Sequence, residues 1–125
     1  SSAGGERGDL ILTMRVQAHS WFWLDEEGAL HARVPVTVGE AFRGAKVKVP
    51  TPAGDVMVTV PARAASGARL RVRGKGVPAT KKREASDLIV HIELTLPTSD
   101  SEELQKAVDV IEKGYESDVR GGITL

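Results

Sequence analysis

Leu88-Ile89-Val90-His91-Ile92-Glu93-Leu94-Thr95-Leu96 is the stretch that decides the fold. In an extended backbone successive side chains point to opposite faces, so Leu88, Val90, Ile92, Leu94 and Leu96 share one side. A helix would scatter the same residues around its axis. The stretch therefore reads as a strand with one buried face. The same period of two recurs through the chain. Leu30, Ala32, Val34, Val36 and Val38 form one set, and Leu10, Leu12, Met14, Val16 and Ala18 another. Val47 and Val49 alternate with Lys46 and Lys48, Val56, Val58 and Val60 with Met57 and Thr59, and Leu70 and Val72 with Arg69, Arg71 and Arg73.

Turn formers separate these runs: Glu27-Gly28, Thr51-Pro52-Ala53-Gly54, Pro61 with Gly67, and Gly74-Lys75-Gly76. Thr51 to Gly54 lies between two strands and reads as a hairpin turn. Gly39 to Gly44 is long enough for one helical turn only. Short strands at this spacing predict a mostly β domain, a small antiparallel β-sandwich or open barrel. One longer helix follows. Thr98 to Glu103 offers N-cap residues and acids for a first turn. Leu104, Val108, Ile111 and Tyr115 then recur at spacings of four, three and four, which makes one apolar stripe. That stripe is buried either on the sandwich or on another chain.

Composition narrows the function. The chain has 125 residues, 41% hydrophobic and 27% charged, which suits one globular domain. Lys plus Arg and Asp plus Glu are 17 each, so no net charge draws it to nucleic acid or an anionic membrane. There is no cysteine, which excludes disulfides, thiolate metal sites and thiol nucleophiles and fits a reducing compartment. No apolar run approaches a membrane span of roughly 18 residues, and no signal peptide is recognisable. A cytoplasmic protein is expected. His19, His31 and His91 are too scattered in sequence to suggest a metal site. No Gly-x-Ser-x-Gly, Walker or His-Glu-x-x-His pattern occurs, so neither enzyme chemistry nor a cofactor is expected. Gly74-Lys75-Gly76 lacks the glycine spacing and the following Ser or Thr of a phosphate loop and reads as a tight turn.

Two local features stand out. From Val56 to Arg83 there is no acid, while Arg63, Arg69, Arg71, Arg73, Lys75, Lys81, Lys82 and Arg83 are all basic; from Glu84 to Asp118 acids prevail. Such a split marks either a binding face or two solvated surfaces. In Trp21-Phe22-Trp23-Leu24, four large apolar residues in a row cannot all point inward. Some are exposed or meet a partner, or the segment folds back to cap the core. There is also an internal repeat. Glu84-Ala85-Ser86-Asp87-Leu88-Ile89 follows Glu6-Arg7-Gly8-Asp9-Leu10-Ile11 at a constant offset of 78 residues (84 − 6). The second copy closes a β unit, so the first is expected to close an earlier one, most of which lies outside this chain.

Gly8-Asp9-Leu10, His19-Ser20-Trp21-Phe22, Val34-Pro35-Val36, Glu40 to Ala45, Val49-Pro50-Thr51, Leu70 to Pro78 and Asp87-Leu88 resemble, in that order, the C-terminal region of DnaJ-family (heat-shock protein 40-type) co-chaperones. The Arg-Gly-Lys-Gly turn and the Pro-Thr-x-x-Gly hairpin carry the most weight. The resemblance implies two tandem β-rich subdomains followed by a dimerisation helix. On that pattern residues 1–18 hold the last strand of the first subdomain and 19–97 the second subdomain. Residues 98–118 are the dimerisation helix and 119–125 a flexible tail. It further implies a homodimeric module that holds unfolded polypeptide and passes it to a DnaK-type ATPase. The J-domain's His-Pro-Asp motif is absent from this stretch, so these residues alone are not expected to stimulate ATP hydrolysis.

Carrying the family's peptide pocket across by its Val-Pro anchor lands on Ala32, Val34, Val49 and Thr51. The helix stripe Leu104, Val108, Ile111 and Tyr115 would pair two copies. Arg69, Arg71 and Arg73 would meet an acidic tail of the partner. The alternative is a nucleic-acid-binding β module that uses the basic strand and loop at 69–83. Against it, no exposed aromatics interleave with those cations to stack bases.

Overall fold

The computed structural model describes residues 20–125. The expected strand through Leu10–Ala18, the first copy of the repeat and His19 lie outside the described residues.

The elements run β1 (Phe22–Leu24), β2 (Leu30–Thr37), α1 (Val38–Arg43), β3 (Ala45–Thr51), β4 (Gly54–Val60), β5 (Arg69–Val72), β6 (Leu88–Thr95) and α2 (Glu102–Glu112). Four strands form one open sheet in the order β1-β2-β6-β5, and β3-β4 form a separate hairpin. The domain is mostly β with a C-terminal helix, as the alternation predicts. One pairing differs. The central pair β2–β6 is parallel, in register Leu30↔Leu88 through Thr37↔Thr95, while the other pairs are antiparallel. Alternation reports which face is buried but not strand direction. Parallel neighbours need a long crossover, and here α1, the hairpin and β5 supply it.

The alternating residues behave as their period requires. Leu30, Ala32, Val34 and Val36 of β2 are buried, as are Leu88, Val90 and Ile92 of β6. They face Val49 of β3 and Val56, Val58 and Val60 of β4 in one core. Leu30 and Leu88 are directly paired and nearly inaccessible, and each contributes about 1.5–3 kcal/mol by leaving water.

Val38, which continues the apolar set of β2 in sequence, instead opens α1. Thr37 stops the strand. Its Oγ1 accepts the Glu40 N–H at 3.1 Å and the Glu40 carboxylate accepts the Thr37 N–H at 3.0 Å, a reciprocal cap. Gly44 ends α1 at φ 83°, and a Cβ there would press on Val60 O and Ala62 N at 3.0 Å.

At the β3–β4 turn the Thr51 hydroxyl donates to Gly54 O at 2.7 Å and accepts from Ala53 N–H at 3.0 Å. The Gly74-Lys75-Gly76 turn is tied down by the chain that leads into β6. Gly74 N–H donates to Asp87 Oδ1 at 3.0 Å, Gly76 N–H to Ser86 O at 2.8 Å, and Val77 N–H to Ser86 Oγ at 2.8 Å. These amides are spent on the protein itself, as a tight turn requires.

Candidate functional site

An open groove of about 430 Å³ runs between the β1–β2 side of the large sheet and β3 of the hairpin. Trp21, Phe22, Val34 and Pro35 line one wall; Val47, Val49 and Pro50 line the other, with Arg33 and Lys48 beside them. The groove lies where the two sheets are not joined by strand pairing among the described residues. β3 pairs with β4 alone among the described strands. No other described strand pairs with its second edge, and Val47 to Pro50 of β3 border the groove. Exposed apolar walls next to a strand edge can take an extended peptide: backbone bonds give affinity and the walls favour apolar side chains.

The four large residues from Trp21 to Leu24 divide between faces. Phe22 and Leu24 pack against the core. Trp21 is 50% exposed, and the Arg33 guanidinium lies 4.9 Å from its ring centroid. Arg33 is itself held by Glu93, donating from Nε and Nη2 at 3.0–3.2 Å. Trp23 points to the outer face of the sheet and stacks on His31 at 5.2 Å and His91 at 4.9 Å.

That outer face carries a chain of polar groups. His31 Nε2 lies 2.8 Å from Asp25 Oδ2, and His31 Nδ1 lies 2.7 Å from His91 Nε2. The carboxylate only accepts, so His31 Nε2–H donates to it. Neutral His31 then presents a lone pair at Nδ1, and His91 Nε2–H donates there. Asp25 also accepts the Glu27 and Ala29 N–H groups through Oδ1. The hydrogen bond from His31 holds the Asp25 carboxyl below its usual range, and the two amides add to this. Burial pushes His91 down, and the nearby His31 and Arg69 add to that shift. Among the described residues no hydroxyl or thiol nucleophile joins this chain. No cluster of three metal-ligating side chains gathers among them either.

Of the sequence-predicted groove residues, Val34 and Val49 line the groove. Ala32 is 1% exposed and lies in the core opposite Phe22, its partner in β1. Thr51 spends its hydroxyl in the hairpin turn. Leu104, Val108, Ile111 and Tyr115 do share one side of α2, where they bound a hollow with Val38, Leu94 and Leu96. No residue of α2 is buried. Arg69 and Arg71 stand on the outward side of β5, and Arg73 follows it, also exposed. Arg71 reaches Asp87 at 3.6 Å. Among the described residues no carboxylate pairs with Arg69, Arg73, Lys75, Lys81, Lys82 or Arg83.

Sequence reading missed Trp21, Phe22, Pro35, Val47 and Pro50 as groove walls, and it missed the histidine pair. His31 and His91 both occupy outward positions of alternating strands. Their meeting depends on β2 and β6 being neighbours, which periodicity does not report.

Residues 1–97 match the model of a family described as the DnaJ C terminal domain. The chain is similar to the chaperone protein DnaJ of Natronomonas pharaonis, 38% identical over 121 residues that make up 95% of this chain and 32% of that protein. It is 36% identical over 117 residues to the chaperone protein DnaJ of Neisseria meningitidis, covering 91% of this chain and 31% of that protein. It is 43% identical over 102 residues to the curved DNA-binding protein of Pseudomonas putida, covering 81% and 31%. The chain thus spans about a third of the length of the curated relatives it matches.

Proposed function

The chain belongs to the DnaJ C terminal domain family, and from that premise we propose that it is the polypeptide-holding module of a co-chaperone. Extended apolar segments of unfolded clients lie in the groove between β1–β2 and β3. The apolar groove beside β3, whose second edge no other described strand pairs, is the observation that carries this reading. Val34 and Val49 floor the contact. Ala32 and Thr51 act by setting the strands that flank it. Holding a chain in this way needs no catalytic group, metal or cofactor. The helix α2 joins two copies through Leu104, Val108, Ile111 and Tyr115. Clients then pass to a DnaK-type ATPase in the cytoplasm, whose acidic tail meets Arg69, Arg71 and Arg73.

The test is peptide binding by fluorescence anisotropy. Val47→Asp places a charge on the groove wall and should weaken an extended apolar peptide at least about tenfold, a loss of about 1.4 kcal/mol. Thr59→Asp, on the exposed outer side of β4, should leave it unchanged. Equal affinities for both variants would overturn the groove. For the helix, light scattering should find that Ile111→Asp halves the mass.

A second reading rests on a separate observation, the row of cations from Arg69 to Arg83, of which only Arg71 meets a carboxylate among the described residues, together with the name of the Pseudomonas putida relative. There the basic face would bind a nucleic-acid backbone. Binding to a DNA duplex would then fall steeply with salt, by roughly one power of concentration for each phosphate contacted. Arg69→Glu with Lys82→Glu would flatten that slope.

A further inference from the structure

The Asp25–His31–His91 chain sits on the back of the strand pair whose other residues wall the groove. Trp23 is paired with His31 in the β1–β2 ladder, one residue from Phe22↔Ala32. β1 is a three-residue strand paired with β2, and Asp25 N–H to Ala29 O at 3.1 Å continues that ladder. The Arg33 N–H to Trp21 O bond at 2.8 Å extends it by one. Side chains add a second set of ties. Asp25 fastens the turn after β1 to His31, His31 is bonded to His91 on β6, and Trp23 covers both rings.

This chain has a definite proton capacity. With both imidazoles neutral, each neighbouring pair of groups shares one proton. One added proton is accommodated, because an imidazolium at either ring still leaves a donor facing an acceptor across the 2.7 Å gap. A second added proton makes both facing nitrogens donors and both rings cations. The hydrogen bond is then lost and replaced by repulsion.

The surroundings decide how readily this occurs. Arg69 stands opposite His91 on β5, and Arg71 lies opposite Ile89 beside it. Arg33 is two residues along β2 but is neutralised by Glu93, and Arg71 is partly neutralised by Asp87. Asp25 and Glu27 are the carboxylates beside the pair on the β1 side. Only Asp25 bonds to it.

We propose that the Asp25–His31–His91 chain under Trp23 is an acid-sensitive latch: doubly protonated, it releases β1 and loosens the groove wall formed by Trp21 and Phe22. The consequence for clients rests on the groove reading above; the release of β1 does not. Burial of His91, and its neighbours His31 and Arg69, act in the same direction, against charge on that ring. The latch operates in acid in which Asp25, whose carboxyl its hydrogen bond from His31 holds below the usual range, is still ionised.

The test is amide exchange and tryptophan emission of the 125-residue chain between about pH 7.5 and about pH 4.5. The protection factors of Phe22, Trp23 and Leu24 should fall by up to about tenfold per pH unit as the second proton is taken up. Protection of Val58, in the hairpin, should hold. In His91→Gln the amide can donate to or accept from His31 but adds no charge, so β1 protection should stay flat. Unchanged β1 protection in the natural sequence over this range would overturn the latch without recourse to a variant. An identical fall in His91→Gln would overturn it too. Peptide titration at about pH 7.5 separates the two claims. No binding there, with β1 still releasing in acid, removes the groove and leaves the latch. Binding with no release removes the latch and leaves the groove.

Discussion

Gly76→Ala should destabilise the domain although Gly76 lies outside the left-handed φ region that favours glycine. The obstacle is space. An added Cβ would collide with the Asp87 carbonyl, with Ser86 Oγ at 2.7 Å and with Asp87 C at 2.9 Å. The Asp87 carbonyl cannot simply move away, because it accepts the Leu30 N–H at 3.0 Å where β2 and β6 begin to pair. Moving the turn instead strains Gly76 N–H to Ser86 O and Val77 N–H to Ser86 Oγ, both 2.8 Å. Two or three hydrogen bonds at about 1 kcal/mol each are at risk. Restricting the unfolded chain by Gly→Ala offsets about 0.4–1 kcal/mol. The net expectation is a loss of about 2 kcal/mol. Urea unfolding measures it, with amide exchange at Leu30 and Val77 reporting which bonds gave way. A neutral or stabilising Gly76→Ala, with Leu30 protection intact, would refute the packing reason given for this glycine.

Other substitutions test other levels of the fold. Leu88→Ala removes a fully buried side chain at the start of the parallel pair and should cost about 3 kcal/mol in urea unfolding. Thr37→Ala deletes one half of the reciprocal cap of α1 and should cost about 1 kcal/mol, with the loss of protection confined to residues near Glu40. Stability should also depend on pH with a definite sign. The folded His91 resists protonation, so below about pH 6.5 the unfolded chain takes up the proton first and the urea midpoint should decline. Asp25 is held low, so its contribution persists above about pH 4 and disappears only in stronger acid. His91→Gln should remove the first decline and spare the second.

Much of the architecture was legible because burial follows periodicity. The alternation of Leu30 to Val36 and of Leu88 to Ile92 identified the buried faces residue by residue. The Thr51–Gly54 turn and the stripe on α2 were readable for the same reason, since local geometry fixes them. What stayed hidden depends on which strands are neighbours. The parallel direction of β2–β6, the meeting of His31 with His91, and the groove that places Val47 opposite Phe22 all arise from pairing between distant segments. Trp21 to Leu24 illustrates the boundary. Composition shows that the four cannot all be buried, but only the register against β2 and β6 sends Phe22 inward, Trp23 over the histidines and Trp21 to the groove.

Residue-resolved mapping of a bound peptide tests the central claim most directly. An unlabelled extended apolar peptide is titrated into the isotopically labelled chain, and amide and methyl shifts are followed. Saturable changes are expected to concentrate on Trp21, Phe22, Val34, Val47 and Val49, with peptide signals shifted toward extended backbone. Changes confined to Arg69–Arg83, or no saturable change at all, would contradict the claim.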